Sequence, residues 1–306
     1  MRSARRFYRL HLALAMLGGL ALLAAGWVAW HSVNGSSVPA ADLLAACRNF
    51  IGDMSPGSLL LLGLFALTLV STVRALRSAG RQLLASRRFV TRGRELEETS
   101  LEGVRVRLLD DRRPHAFCAG LLRPRVYLSA GAKNALSRSE LRAVLAHEAH
   151  HARQRDPLRL MLAQVAGEAL FFLPLMRRAR RRYAELAEIA ADEAALRSTG
   201  GPGPLAAAML RFDQHATAGA VGIAPERVDH LLGAHPRWEL SASLLAGACL
   251  SILGILTLTY AATTAIPSAG LSLSMLSMQV CGLAMVAIPV LSAAWIVNTA
   301  RRAGSR

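Results

Sequence analysis

Residues 147–151 read His147-Glu148-Ala149-His150-His151. On a helix, residues four apart lie one turn above each other, so His147 and His151 can turn imidazole nitrogens toward one Zn²⁺. Glu148, beside the first of them, can reach a water at an open coordination position. That is the H-E-x-x-H arrangement, in which zinc acidifies a water and the glutamate takes its proton, the chemistry of peptide-bond hydrolysis. His150 points about 100° away from His151 around the helix and reads as an outer or surface residue rather than a ligand.

Three protein ligands and a water make the usual catalytic set. A second helical stretch, Glu185-Leu186-Ala187-Glu188-Ile189-Ala190-Ala191-Asp192-Glu193, offers the third. Glu188 is placed to be that ligand. Asp192 shares its face and can accept an N–H from a ligand histidine, fixing its tautomer. Glu185, one turn away, competes with Glu188 for the ligand role. The bland readings are a solvated helix face that happens to hold histidines, and an ordinary charged, alanine-rich helix.

The elements that must position these groups are also legible. Ser137-Arg138-Ser139-Glu140 reads as a capping box, and Leu141, Val144 and Leu145 supply an apolar face behind the motif. The pattern predicts a helix from Ser139 to about Gln154, ending before Asp156-Pro157. Upstream, Val104–Leu109 and Arg125–Ser129 alternate as short strands, with Pro114 and Gly120 as turn signals. Ala116–Ser129 is the candidate strand edge for holding an extended substrate. Tyr127 reads as a packed strand tyrosine before it reads as an oxyanion donor.

Around this site the chain has a membrane protein's composition. Of 306 residues 53% are apolar, yet the net charge is +16. Disorder is excluded by the hydrophobicity, and a soluble domain by the long uncharged blocks. Lys133 is the single lysine, and Cys47, Cys118, Cys249 and Cys281 are too scattered for a disulfide framework or a thiolate metal site. Four blocks are long enough to span a bilayer: Leu10–Trp30, about 58–76, roughly 240–264 and roughly 271–299. The first exceeds a signal-peptide core and reads as retained. Basic residues gather at Arg2, Arg5, Arg6 and Arg9, in 74–157, in 177–239 and in the tail, whereas the Trp30–Gly57 loop carries only Arg48. The charge bias therefore puts both termini and residues 77–239 in the cytoplasm. It explains the basic segments without direct nucleic-acid binding. A fifth apolar stretch, Leu158–Met176, is interrupted by Arg159, Gln164, Glu168 and Pro174 and reads as a membrane-associated helix that lies in the interface or packs against the bundle without crossing. If Glu188 shares a metal with His147 and His151, a single crossing there is excluded. Residues 200–237, opening on Gly200-Gly201-Pro202-Gly203-Pro204, read as a mobile segment in which autocleavage is an open question.

Two N-terminal spans, a basic segment with H-E-x-x-H, a membrane-hugging stretch, then Glu188-Ile189-Ala190-Ala191-Asp192 and further spans resemble the BlaR/MecR antirepressor-type membrane metallopeptidases. Gly120-Leu121-Leu122-Arg123-Pro124-Arg125-Val126-Tyr127-Leu128 is similar to that family's strand before the active helix. The resemblance implies a mainly α integral membrane protein whose cytoplasmic α+β domain is of the zincin-like, gluzincin type. It implies His147, His151 and Glu188 as zinc ligands, Glu148 as general base, and cleavage of a cytoplasmic protein, a transcriptional repressor in that family, in response to an external signal. The expected organisation is two spans in 1–76, a peptidase domain in 77–239 and two spans in 240–306, in a bacterial inner membrane, with a homodimer left open. The sequence departs from β-lactam-sensing members. The expectation is that this chain lacks a penicillin-binding sensor segment after the fourth span, and Ala130 stands where an S-x-x-K motif ending at Lys133 needs serine. The competing readings are an HtpX/CAAX-type membrane peptidase, which usually has spans between the two motifs, and a non-catalytic receptor or scaffold with a vestigial site.

Overall fold

The structure, a computed structural model, describes residues 2–31, 56–92, 95–214 and 242–269. It is mostly helical, with one small sheet. In chain order the elements are α1 (Arg2–His31), α2 (Pro56–Arg92), β1 (Glu95–Leu101), β2 (Val104–Leu109), β3 (Ala116–Ala119), β4 (Arg125–Ser129), α3 (Ala130–Ala135), α4 (Arg138–Gln154), α5 (Asp156–Ala169), α6 (Pro174–Thr199), α7 (Gly203–Gln214) and α8 (Ala242–Ala269). The described residues within Met1–Met16 and Ser71–Ala248 form one compact unit, and those within Leu17–Val70 and Cys249–Arg306 form a second.

Among the described residues three helical stretches are long and apolar enough to cross a membrane: Phe7–Val28, Leu62–Ser86 and Ala242–Ala262. They coincide with the first three expected spans. The second helix does not stop near residue 76, however. It continues to Arg92: Gly80 is tolerated because no proline follows Leu76 in the helix and Arg77, Ala79, Gln82, Leu83 and Leu84 all favour one. The expected span at 271–299 lies outside the described residues. Within the second unit, Thr68 donates to Leu64 O at 2.8 Å and approaches Leu22 O at 3.4 Å. Gly26 faces the same threonine so closely that a Cβ there would stand 2.9 Å from its methyl. Small residues let these helices approach as membrane helices do.

The first unit holds the sheet, in the order β1-β2-β4-β3. β2 and β4 run parallel, while β1–β2 and β3–β4 are antiparallel. Both expected strands are present with the expected bounds, but the edge is narrower than Ala116–Ser129. β4 is paired on both sides, so among the described residues β3 is the edge strand beside it. The turn joining them needs glycine: Gly120 has φ 103°, and a Cβ there would lie 2.8 Å from Arg123 O. Val106, Leu108, Val126 and Leu128 from the sheet pack with Val144 and Leu145 of α4 and Ala208 of α7 in one buried cluster.

Two connections differ from expectation. Leu158–Met176 is not one helix. α5 ends at Ala169, the chain breaks over Leu170–Leu173, and α6 starts with Pro174 in its first turn. At 14 residues, α5 is about 21 Å long, short of the roughly 30 Å of a hydrocarbon core. The presumed mobile segment also begins with order. Residues 203–214 form α7, whose Leu205 and Ala208 are buried against α4 and its neighbours. Leu205, Ala208, Met209 and Phe212 recur at helical spacing, a stripe masked by the glycine-proline run before it. Residues 215–237 lie outside the described residues.

Candidate metal centre

α4 is fixed at its start by the capping box. Ser137 Oγ accepts from Glu140 N, and Glu140 Oε2 accepts from Ser137 N at 2.7 Å. Glu140 also receives Arg211 of α7 at 3.1 Å, and these contacts hold its carboxyl below the ordinary range although burial acts the other way. A second clamp comes from the β1–β2 turn. Glu102, at φ 46°, accepts from Arg138 at 2.8 Å and from Arg142 at 2.7 Å, and both arginines lower its pKa, Arg138 first. α4 is thereby tied to the sheet on one side and to α7 on the other before its motif begins.

α4 packs most extensively against α6. Alanines make the close approach possible: Ala143 on α4 and Ala195 on α6 are fully buried in one cluster with Leu205. Three side chains converge at this seam. His147 Nε2 lies 3.2 Å from His151 Nε2 and 3.6 Å from Glu188 Oε2, and His151 Nε2 lies 3.5 Å from Glu188 Oε1. One donor atom from each of the three residues falls within 4.8 Å of the others. Glu185, the competitor, is engaged elsewhere: it accepts from Arg182 at 2.7 Å.

The distal nitrogens of both histidines are taken by buried carboxylates. His147 Nδ1 is 3.0 Å from Asp192 Oδ1, a short ion-pair contact off the line of a good hydrogen bond. Asp192 is fully buried. His151 Nδ1 is 2.9 Å from Asp156 Oδ2, and Asp156 Oδ1 accepts from the Tyr183 hydroxyl at 3.0 Å. Each carboxylate directs its imidazole so that Nε2 faces the centre.

Sequence reasoning missed Asp156 and Tyr183. Asp156-Pro157 signals a helix end, and it is one. The missing information is the left-handed turn at Arg155 (φ 54°, ψ 41°), which folds Asp156 back under His151. His150 is also not a surface residue. It is buried, its ring meets that of His151 edge-on at 6.4 Å, and burial pushes its pKa down to about 4, so it remains neutral. Glu148 is half-buried beside His147. Tyr127 is buried in the sheet and stacks on Phe117 at 5.2 Å.

The electrostatics favour a cation. Burial alone would lower the pKa of His147, but Asp192, Glu188 and the charge of Glu148 outweigh it and raise the pKa to about 9. The Cys118 thiol on β3 is pushed up to about 12, by burial first and then by Glu148 and Asp156. The donor set also has the right dimensions. Four ligands about 2.0–2.1 Å from a tetrahedral zinc stand roughly 3.3 Å apart; here the two Nε2 atoms are 3.2 Å apart, each has its own Glu188 oxygen at 3.5–3.6 Å, and one donor atom from each of the three residues lies within 4.8 Å of the others. The residues present fit a zinc ion.

Compared with known proteins, residues 58–201 match the family model described as BlaR1 peptidase M56. No curated protein matches the chain. The matched segment runs from α2 through α6 and includes His147, Glu148, His151, Asp156, Tyr183, Glu188 and Asp192.

Proposed function

We propose, taking as premise that residues 58–201 belong to the M56 peptidase family, that this membrane-associated metallopeptidase is a zinc endopeptidase cleaving a cytoplasmic protein in signal transduction. The observation that carries the reading is the convergence of His147, His151 and Glu188, one donor atom from each lying within 4.8 Å of the others, which supplies the two histidines and one carboxylate of a three-ligand zinc set. These three residues would hold the ion. When bound, it supplies Lewis acidity toward a carbonyl and a water.

The remaining work belongs to the chain. Glu148 takes the proton of the attacking water and delivers it to the leaving amine nitrogen. Asp192 and Asp156 keep the two imidazoles oriented, with Nε2 inward. The open edge of β3, packed on α4, pairs with an extended substrate segment through backbone hydrogen bonds. The domain adopts a gluzincin arrangement ending near residue 239, preceded by two spans of which the second runs over Leu62–Ser86 and followed by two in 240–306, four in all. Positive charge on 74–157 and 177–239 keeps it cytoplasmic, in a bacterial inner membrane. The family resemblance makes a transcriptional repressor the substrate class.

The test is metal content of the detergent-purified protein, wild type beside His147→Ala, by elemental analysis. About one zinc per chain, lost in the variant, is the expected result; no zinc in either, even after zinc is offered, sinks the reading. Glu148→Gln should keep its zinc and lose on the order of 10²–10⁴ in cleavage rate. Retained activity would remove Glu148 from the proton-transfer role.

A further inference from the structure

Asp156 is the least expected member of the seam, and its carboxylate is held at both oxygens. Oδ2 meets His151 Nδ1 at 2.9 Å, and Oδ1 accepts from Tyr183 at 3.0 Å. Asp156 and Tyr183 are 3% and 1% exposed, so water does not compete for either contact. With one oxygen bonded, an aspartate can still rotate about its terminal torsion. With both bonded, the carboxylate plane is fixed, and so is the imidazole that leans on it.

Tyr183 is itself seated from outside the peptidase helices. Its ring lies 5.0 Å from the Tyr8 ring of α1, and Phe7 packs in the same buried cluster with Ala179 and Leu186. The Arg159 guanidinium, one turn along α5 from Asp156, sits 5.4 Å from the centroid of Tyr8. α1, α5 and α6 therefore meet at one aromatic contact, two hydrogen bonds from His151.

We propose that Tyr183 is a positioning residue for the metal centre, holding Asp156 against His151, and that Phe7 and Tyr8 of α1 seat it. The start of the first apolar helix is thereby mechanically linked to a metal-binding histidine. This rests on the zinc reading above.

The purely structural account, an aromatic side chain filling space, makes a different prediction for Tyr183→Phe. That substitution keeps the ring and removes only the hydroxyl, leaving Asp156 Oδ1 buried without its donor. Zinc affinity and zinc dissociation rate can be read on the full-length protein in detergent by competition with a chromophoric chelator. Partners that orient metal ligands typically govern 10–100-fold in affinity. For a group one bond further out, Tyr183→Phe should raise the zinc Kd about three- to tenfold. In an Asp156→Asn background the same change should add nothing, since the two substitutions act through one contact. Tyr8→Ala should weaken zinc in the same direction, whereas Tyr8→Phe should not.

An unchanged Kd in Tyr183→Phe, or full additivity with Asp156→Asn, overturns the positioning role. An unchanged Kd in Tyr8→Ala overturns the seat. The controls separate this from the broader reading. If wild type binds zinc and His147→Ala does not, a negative result at Tyr183 removes only the positioning role. If wild type binds no zinc, both fall together.

Discussion

Glu185 and Glu188 are nearly equivalent in sequence, being acidic, on one helix and a turn apart. Their surroundings separate them. Glu185 is held by Arg182 at 2.7 Å, whereas Glu188 faces both histidines at 3.5–3.6 Å. Glu188→Ala should therefore raise the zinc Kd by more than about 100-fold, beyond what loss of an outer partner does, and Glu185→Ala should leave it near wild type. The reverse order in a chelator competition would move the ligand. Asp192→Asn should fall between, at about 10–100-fold. The convergence of these side chains was legible because helical spacing of four aligns His147 with His151 and Glu188 with Asp192. Asp156 was not legible, because its place depends on a left-handed Arg155 that no spacing rule announces. Tyr183 was not legible because its partner is 27 residues away across a helix break.

At the scale of elements, the seam depends on how near α4 and α6 can come. Ala143 and Ala195 leave no room at their shared cluster, where α7 contributes Leu205. Ala195→Leu should force the helices apart at a cost of about 1–3 kcal/mol, lowering the thermal midpoint and weakening zinc binding together. A variant with a lowered midpoint and unchanged zinc affinity would show that the seam tolerates wider spacing. The capping box, both strands and the start of α4 followed from local chemistry, since caps and alternation are written within a few residues. The division of Leu158–Met176 into α5 and the start of α6 falls at Pro174, which cannot continue a helix and pushes Leu173 into an extended conformation, with Leu170 and Leu173 buried at the break. α7 shows the opposite case. A glycine-proline run correctly ends one helix, but it also conceals a short amphipathic one directly behind it.

For the molecule as a whole, charge and hydropathy are the evidence for sidedness. The Trp30–Gly57 loop carries one arginine, while 74–157 carries 18 basic residues. Moving that second segment across a membrane would set nearly all its guanidinium groups against the positive-inside bias. The chain contains its own probe of this arrangement, because Cys47 falls in the sparsely charged 30–57 stretch of the sequence. A membrane-impermeant maleimide applied to intact spheroplasts should label wild type at Cys47, and Cys47→Ala should abolish the signal. In the Cys47→Ala background, Asn134→Cys places an exposed thiol on α3, inside the peptidase unit. It should react only after the membrane is opened. Labelling of Asn134→Cys in intact spheroplasts would put the metal centre on the outer side. A cytoplasmic substrate would then be excluded even if every zinc measurement came out as expected. The two sets of experiments are independent for a physical reason. Donor geometry depends on a few ångströms at the α4–α6 seam, whereas the expected sidedness depends on arginines gathered in some segments and sparse in others.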